Sequence, residues 1–190
     1  MAGAVIGLAL ALIGLVSPAT ADATVLPRPT LDRTSRVFIV GDSLTTGCDA
    51  AIKARYGYAG IPVTINARAG RTTDEGLGIL LRSAAARQAN VWVIALGTND
   101  RLSERDFTAR IAVARALAGD RRIIWIDVFR LGRDAPMNAA LERAARTDPL
   151  FWTMPFHAWV VAFPSLLVPD KIHLTKAGSQ WRSALYGPTF

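Results

Sequence analysis

The chain has 190 residues, of which 51% are hydrophobic and 19% charged, so one domain with a buried core is expected rather than a disordered segment. Its 15 glycines and 10 prolines are ordinary in number and exclude a collagen-like or low-complexity chain. The 22 lysines and arginines exceed the 15 acids and give a net charge of +7, but they are dispersed, which favours a solvated surface over a nucleic-acid partner.

The first 21 residues are typical of a secretory signal peptide. Residues 2–16 are all apolar or glycine, Ser17 and Pro18 end this run, and Ala19 to Ala21 supply the small residues that precede a cleavage site. The pattern departs from the usual one because no lysine or arginine precedes the apolar run. We expect cleavage after Ala21, a mature protein that is secreted or held in the cell envelope, and no stable membrane insertion; an uncleaved membrane anchor is the alternative.

Residues 22–36 read as a surface linker, and residues 37–190 as one domain in which strands and helices alternate. Short, wholly apolar runs predict strands that are buried on both faces. They lie at residues 37–40, 63–65, 91–96 and 123–128, with a weaker fifth at 159–161. Helical patterns follow them at residues 44–56, 73–87, 103–117, 136–146 and 175–186. This order predicts an α/β fold, a three-layer α/β/α sandwich around a parallel sheet of about five strands.

Three short motifs follow the ends of the first three predicted strands, where sites form in such sheets. Ser43, in a Gly-Asp-Ser-Leu motif, would begin a helix, where a serine can act as a nucleophile and its own N–H can stabilise an oxyanion. Gly70 allows a close backbone approach to a ligand, and the side-chain amide of Asn99 can donate a further hydrogen bond. Taken alone, the serine motif is more typical of a plain helix cap, the glycine motif is uninformative, and the asparagine motif is also typical of a turn.

A fourth motif places Asp170 three residues before His173, just ahead of the last predicted helix. A histidine base needs an acceptor on its second ring nitrogen, and Asp170 can supply it if the segment makes one turn. The only other histidine, His157, falls at a predicted strand edge with no acid at similar spacing, and we interpret it as structural. Asp42 is assigned to the turn that carries Ser43. Together the motifs supply a nucleophile, oxyanion donors and a His–Asp pair on one face of the sheet.

In order and spacing these motifs resemble those of the SGNH hydrolases, also called the GDSL esterase and lipase family, from residue 37 to about residue 185. The resemblance implies a flavodoxin-like fold and metal-independent hydrolysis of carboxylic esters without a cofactor. It implies Ser43, Asp170 and His173 as the catalytic triad, and an oxyanion hole formed by Ser43, Gly70 and Asn99.

The family resemblance leaves the substrate open. The short mature chain has no segment for a large lid, which favours short acyl groups, such as O-acetyl groups on carbohydrate, and we expect a monomer. The apolar stretch at residues 164–169 could instead form an acyl-binding wall for lipid esters. A lipid esterase or lipase, an acyltransferase with the same triad, and a non-catalytic module that binds acylated glycan are the alternatives. Cys48, the only cysteine, excludes an internal disulfide and a cysteine zinc cluster.

Overall fold

Five parallel strands form one sheet in the order β2-β1-β3-β4-β5 in the computed structural model, which describes residues 29–187. The strands are β1 (Val37–Gly41), β2 (Val63–Ala67), β3 (Val91–Ala95), β4 (Arg122–Ile126) and β5 (Phe151–Met154). Every residue of β1 and of β3 is buried, as the unbroken apolar runs predict for central strands. This strand order is that of flavodoxin-like sheets, so the predicted α/β sandwich is confirmed.

Helices cover both faces of the sheet. They are α1 (Ser43–Ala59), α2 (Thr73–Arg82), α3 (Ala84–Gln88), α4 (Glu104–Ala118), α5 (Ala135–Thr147), α6 (Phe156–Ala162) and α7 (Lys176–Tyr186). The helices α2 to α5 bury their apolar residues against one face, and α1, α6 and α7 bury theirs against the other. Cys48 of α1 lies inside this second layer, and its burial raises the pKa of the thiol to about 11, so it is an inert core residue.

The fifth strand is not where the sequence placed it, and that prediction is wrong. Residues 159–161 lie within α6, and the strand is formed by Phe151–Met154 instead. Phe156 and Val160 are both buried and are four residues apart, which is the spacing of one face of a helix. The sequence favoured a strand here because valine is β-branched. The helix predicted over residues 73–87 is also two helices, because Ser83 has an extended backbone and its hydroxyl caps α3 through the Ala86 N–H.

The described part of the predicted linker, residues 29–36, is fixed to the domain. The Arg122 guanidinium donates to the Thr30 carbonyl at 2.8 Å, and Asn90 exchanges hydrogen bonds with the Thr34 carbonyl and the Arg36 N–H. Ser35 is fully buried. The predicted signal peptide and the start of the linker lie outside the described residues. Among residues 29–187, no helix has the length and apolar character that crossing a membrane requires.

Candidate active site

Ser43 is the first residue of α1, directly after β1 ends at Gly41. Asp42 caps this helix, because its carboxylate accepts the Leu44 N–H at 3.0 Å. The Ser43 N–H belongs to the first turn, where no helical carbonyl is available to accept it, and it lies at the positive end of the helix dipole. The assignment of Asp42 to the turn that carries Ser43 therefore agrees with the geometry, and the amide of Ser43 is free for a ligand.

The structure brings the predicted nucleophile and base together across 130 residues of sequence. The hydroxyl oxygen of Ser43 lies 3.1 Å from Nε2 of His173. Nδ1 of His173 lies 2.7 Å from a carboxylate oxygen of Asp170. Because a carboxylate only accepts, the proton of the neutral imidazole is assigned to Nδ1, which leaves the lone pair of Nε2 facing the serine hydroxyl.

Asp170 is held by more than the imidazole. Its other oxygen accepts the backbone N–H of Ile172 at 2.8 Å and that of His173 at 2.9 Å, so the predicted turn is present. The hydrogen bond from the His173 side chain, followed by those from the two backbone amides, lowers the pKa of Asp170 to about 2. The carboxylate therefore stays ionised at any pH at which a hydrolase works, and it fixes both the tautomer and the orientation of the ring.

Gly70 lies in the loop after β2, beside the end of β1, because the Arg68 N–H donates to the Gly41 carbonyl at 3.2 Å. Its φ angle is +71°, a left-handed conformation that a side chain disfavours. A Cβ at this position would meet nothing within 4 Å, so the glycine is required by the backbone conformation and not by crowding. The residue is exposed, and its N–H is accessible to a small ligand from solvent.

Asn99 follows β3, the other neighbour of β1 in the sheet, and is half-buried. Its side-chain N–H₂ donates to the Arg71 carbonyl at 3.0 Å. An amide nitrogen carries two hydrogens, so this bond fixes the orientation of the side chain while its second hydrogen remains available. The predicted oxyanion donors Ser43, Gly70 and Asn99 thus lie on three adjacent strand ends at one edge of the sheet.

Arg71 is a residue of this site that the sequence did not single out. Its side chain is buried, and one guanidinium nitrogen donates to the Gly41 carbonyl at 3.0 Å and to the Asn66 carbonyl at 2.5 Å. The other terminal nitrogen donates to the Asn66 side chain at 2.7 Å. Because its own carbonyl receives the Asn99 amide, Arg71 joins the ends of β1, β2 and β3. A positively charged residue next to Gly70 was the only available signal in the sequence.

Asp100 holds the neighbouring loop to α2. Its buried carboxylate accepts the Thr73 N–H at 3.0 Å and also the Thr73 hydroxyl. Burial raises the pKa of Asp100, which the hydrogen bonds from Thr73 partly oppose. This residue therefore has a structural function at the base of the Asn99 loop.

His157 is in the first turn of α6 and not at a strand edge, which corrects that prediction. Its backbone N–H donates to Asp127 at 2.6 Å, and its Nε2 lies 3.6 Å from a carboxylate oxygen of Asp134. Burial raises the pKa of Asp127 to about 7. Asp134 therefore faces His157 from the loop after β4. The two residues are too far apart in sequence for their spacing to predict this contact. His157 makes no contact with the Ser43–His173 pair among the contacts of the described residues.

A cavity of about 440 Å³ lies between α4 and α5, with Ile111, Ala140 and Phe151 in its lining. Phe151 begins β5 at the amino end of the sheet, whereas Ser43 follows the carboxyl end of β1, so this cavity is remote from the serine. Within residues 29–187, no three His, Cys, Asp or Glu side chains are grouped so as to hold a metal ion.

Comparison with known proteins finds its matches in structure and not in sequence. No protein-family model matches this chain. No curated protein matches it either. A lipase/acylhydrolase from Enterococcus faecalis is 18% identical, covers 79% of this chain and 92% of its own, and superposes with a TM-score of 0.60.

Two further structural neighbours have names that specify an acyl group. The catalytic domain of peptidoglycan O-acetyltransferase A from Streptococcus pneumoniae is 17% identical over 80% of this chain and 89% of its own, with a TM-score of 0.66. An acetylxylan esterase from Geobacillus stearothermophilus is 14% identical over 83% of this chain and 94% of its own, with a TM-score of 0.62. The chain has the SGNH hydrolase fold. In this chain Ser43, the His173–Asp170 pair and the predicted oxyanion donors Gly70 and Asn99 all lie at the carboxyl edge of the sheet.

Proposed function

We propose that this chain is an exported serine ester hydrolase that cleaves short-chain carboxylic esters, in particular O-acetyl groups on carbohydrate, through an acyl-serine intermediate. The observation that carries the proposal is the pair of contacts from Ser43 to His173 at 3.1 Å and from His173 to Asp170 at 2.7 Å. A nucleophile, a base and a group that orients the base within hydrogen-bond reach of one another are the requirements of acyl transfer.

In the first half-reaction, Nε2 of His173 takes the hydroxyl proton of Ser43 as the serine oxygen attacks the ester carbonyl. Asp170 holds the ring and stabilises the imidazolium that forms. The backbone N–H groups of Ser43 and Gly70 and the amide of Asn99 donate to the oxyanion. The tetrahedral intermediate then collapses, the bond to the alcohol oxygen breaks, and His173 returns the proton to the departing alcohol.

In the second half-reaction, water replaces the alcohol. His173 takes a proton from the water as its oxygen attacks the acyl-serine carbonyl, and the same three donors receive the second oxyanion. Collapse of this intermediate releases the carboxylic acid, and the proton on His173 returns to the Ser43 oxygen. No metal and no cofactor is needed at any step.

The preference for short acyl groups is supported by the packing of the segment that was the alternative lipid-binding wall. Leu166 is 9% exposed, and Leu167 packs against the core cluster that contains α1 and α7. These two leucines therefore point into the protein and offer little surface to an acyl chain. Structural neighbours named as a peptidoglycan O-acetyltransferase and an acetylxylan esterase support acetyl esters of carbohydrate as the substrate class.

Export is proposed from the sequence of the first 21 residues. The apolar run of residues 2–16 and the small residues up to Ala21 are the support for it. Mass spectrometry of the protein recovered from a secreting host checks this, because cleavage after Ala21 gives a chain that begins at Asp22.

The central test is hydrolysis of p-nitrophenyl acetate, butyrate and octanoate by residues 22–190. We expect the rate to fall from acetate to octanoate, and Ser43→Ala to lower turnover by roughly 10⁶. Asn99→Ala should lower it by roughly 10² to 10³, because one oxyanion donor is lost. Ser165→Ala, at an exposed serine outside the triad, is the matched control and should keep wild-type turnover.

The alternatives give different results in the same assay. A folded wild-type chain that is inert on all three esters, and that binds acetylated glycan equally well as Ser43→Ala, would be a binding module. Transfer of the acetyl group to added glycerol faster than to water would identify an acyltransferase. A rate that rises toward octanoate would replace the acetyl esterase with a lipid esterase.

A further inference from the structure

The carboxyl edge of the sheet, where Ser43, Asp170 and His173 lie, carries exposed cations that form no ion pair within residues 29–187. Arg101 follows Asn99 by two residues, Lys171 lies between Asp170 and His173, and both side chains are exposed. Three more exposed cations stand on the loops and first helical turns at this edge; they are Arg105, Arg133 and Lys176. Within residues 29–187 none of these five side chains donates a hydrogen bond or joins an ion pair.

The carboxylates of the same edge are occupied. Glu75 pairs with Arg68 at 2.5 Å, and Asp74 pairs with Arg110 at 3.0 Å. Glu104 pairs with Arg143 at 2.5 Å. Six further acids there accept hydrogen bonds from backbone or side-chain donors, namely Asp42, Asp100, Asp106, Asp127, Asp134 and Asp170. Hydrogen bonds leave the charge of a carboxylate in place, but within residues 29–187 none of these acids pairs with the five cations, whose exposed side chains are available to an anionic ligand at this edge.

Several arginines at the opposite edge of the sheet have a different use. Arg36 donates to the Gln88 carbonyl at 2.9 Å, and Arg122 donates to the Thr30 carbonyl at 2.8 Å. Arg121 donates to the Ala89 carbonyl at 2.9 Å and to the Ala118 carbonyl at 3.0 Å. There the positive charge satisfies carbonyls at helix and strand ends, which is a structural function that the cations around the triad lack.

One of the cations is placed against the local electrostatics of the fold. Lys176 is the first residue of α7, whose first turn contains no acid, whereas Arg105 of α4 is flanked by Glu104 and Asp106. The positive end of a helix dipole disfavours a cation at the position of Lys176. The charge of Lys176 therefore adds to the positive potential of this helix end.

We infer that the natural substrate is an ester on a polyanionic carbohydrate, one whose carboxylate or phosphate groups lie within a few residues of the esterified hydroxyl. This inference rests on the proposed ester hydrolase and adds the charge of the carrier. The acyl carbonyl binds at the oxyanion donors. Neighbouring anionic groups of the carrier lie against the five exposed cations. Attraction of this kind raises the rate of productive encounter and weakens as salt screens it.

The test uses one acetylated polymer in two charge states. Acetylated polygalacturonate and the same polymer after methyl esterification of its carboxylates carry the same acetyl groups, and acetate release measures kcat/KM for each. At about 10 mM ionic strength we expect the anionic polymer to be cleaved about three- to tenfold more efficiently, and at about 0.5 M salt we expect the preference to fade. Polygalacturonate and polyphosphate without acetyl groups, used as competitors, distinguish a carboxylate from a phosphate carrier.

Two sets of variants with equal change in net charge locate the effect. The triple variant Arg101→Gln, Arg133→Gln and Lys176→Gln should bring the ratio of anionic to neutral polymer close to one. The control triple Arg33→Gln, Arg82→Gln and Arg146→Gln removes three exposed cations at the other edge and should keep the wild-type ratio. Lys171 is left intact because it lies between two members of the triad.

A ratio near one in the wild type, or an equal fall of the ratio in both triples, would overturn the inference. Tight binding of the protein to vesicles with anionic lipid, together with equal cleavage of the two polymers, would also overturn it, because the cations would then bind a membrane surface. Hydrolysis of the neutral ester p-nitrophenyl acetate is measured in parallel. If it is present while the charge preference is absent, the polyanionic carrier fails and the ester hydrolase stands.

Discussion

Gly178, in the helical layer formed by α1, α6 and α7, offers a test of how His173 is held. It lies in the first turn of α7, where its N–H donates to the capping hydroxyl of Thr175 at 3.0 Å. A Cβ at this position would stand 2.2 Å from the Leu166 carbonyl oxygen. That oxygen cannot retreat freely, because it also accepts the Thr175 N–H at 2.9 Å. An ordinary carbon–oxygen contact is about 3.3 Å, so Gly178→Ala demands a displacement of about 1 Å.

The displaced segment is the one that carries His173. Leu167 and Leu174 form an antiparallel bridge, and the Val168 N–H donates to the His173 carbonyl at 2.9 Å, so residues 166–175 move as a hairpin. A shift of about 1 Å would stretch the contact of 3.1 Å between Ser43 and His173 to about 4 Å. Misplacement on this scale costs about 10²-fold in rate, so we expect kcat of Gly178→Ala to fall about 100-fold with KM little changed.

The same substitution should lower stability by about 1 to 3 kcal/mol through overpacking, and about 1 kcal/mol of better helix propensity opposes this loss. Gly57→Ala is the matched control, since Gly57 also lies in a helix but its Cβ would meet nothing within 4 Å. We expect Gly57→Ala to be slightly more stable than the wild type and fully active. Urea unfolding and p-nitrophenyl acetate kinetics measure both quantities. A folded Gly178→Ala variant with wild-type kcat would refute the argument that a Cβ at position 178 displaces His173.

Three further substitutions test other contacts. Arg71→Met should lose about 2 kcal/mol in urea unfolding, since two half-buried acceptors of Asn66 lose this donor and the Gly41 carbonyl keeps the Arg68 N–H. It should also lower kcat more than it raises KM, with Arg71→Lys intermediate. Asp170→Asn should lower kcat roughly 10³- to 10⁴-fold. In the wild type, the pH profile of kcat/KM should show no ionisation of Asp170 above about pH 4, because the pKa of this carboxyl is about 2. The pKa of Asp127 is about 7 in the folded protein, so between about pH 4 and pH 7 the folded state holds a proton that the unfolded state has released. The free energy of unfolding of the wild type should therefore fall by up to about 4 kcal/mol as pH rises from about 4 to 8. Asp127→Asn should remove this pH dependence, which unfolding measured at pH 5 and pH 8 checks.

The sequence was sufficient for four of the five strands of the sheet and for Asp170 and His173, which meet at Ser43. Continuous apolar runs located the four strands β1 to β4, because strands covered by helices on both faces have no polar face to interrupt the pattern. Parallel strands end at a common edge, so motifs that follow β1, β2 and β3 had to come close together. Asp170 and His173 could be paired from their spacing alone, since one turn is the geometry that brings the two side chains into contact.

The fifth strand could not be located in this way, for a physical reason. β5 has one neighbour in the sheet and only four residues, and just its first and last residues, Phe151 and Met154, are buried. So short an edge strand gives little pattern, and the valines at residues 160 and 161 favour a strand on propensity alone. Packing decided otherwise, because burial of Phe156 and Val160 on one face of a helix covers the sheet beside α7.

Arg71 shows why a site is harder to predict than its catalytic residues. The three motifs place Gly70, Asn99 and Ser43 on separate strand ends, and nothing within any one motif determines the relative positions of these residues. The contacts that do so join residues far apart in sequence: Arg71 donates to Gly41, 30 residues away, and its carbonyl holds Asn99, 28 residues away. Among dispersed arginines, only the tertiary structure reveals which guanidinium meets carbonyls at the strand ends. An arginine suits this position because its planar fork satisfies several acceptors at once, which a lysine at the same place does less completely.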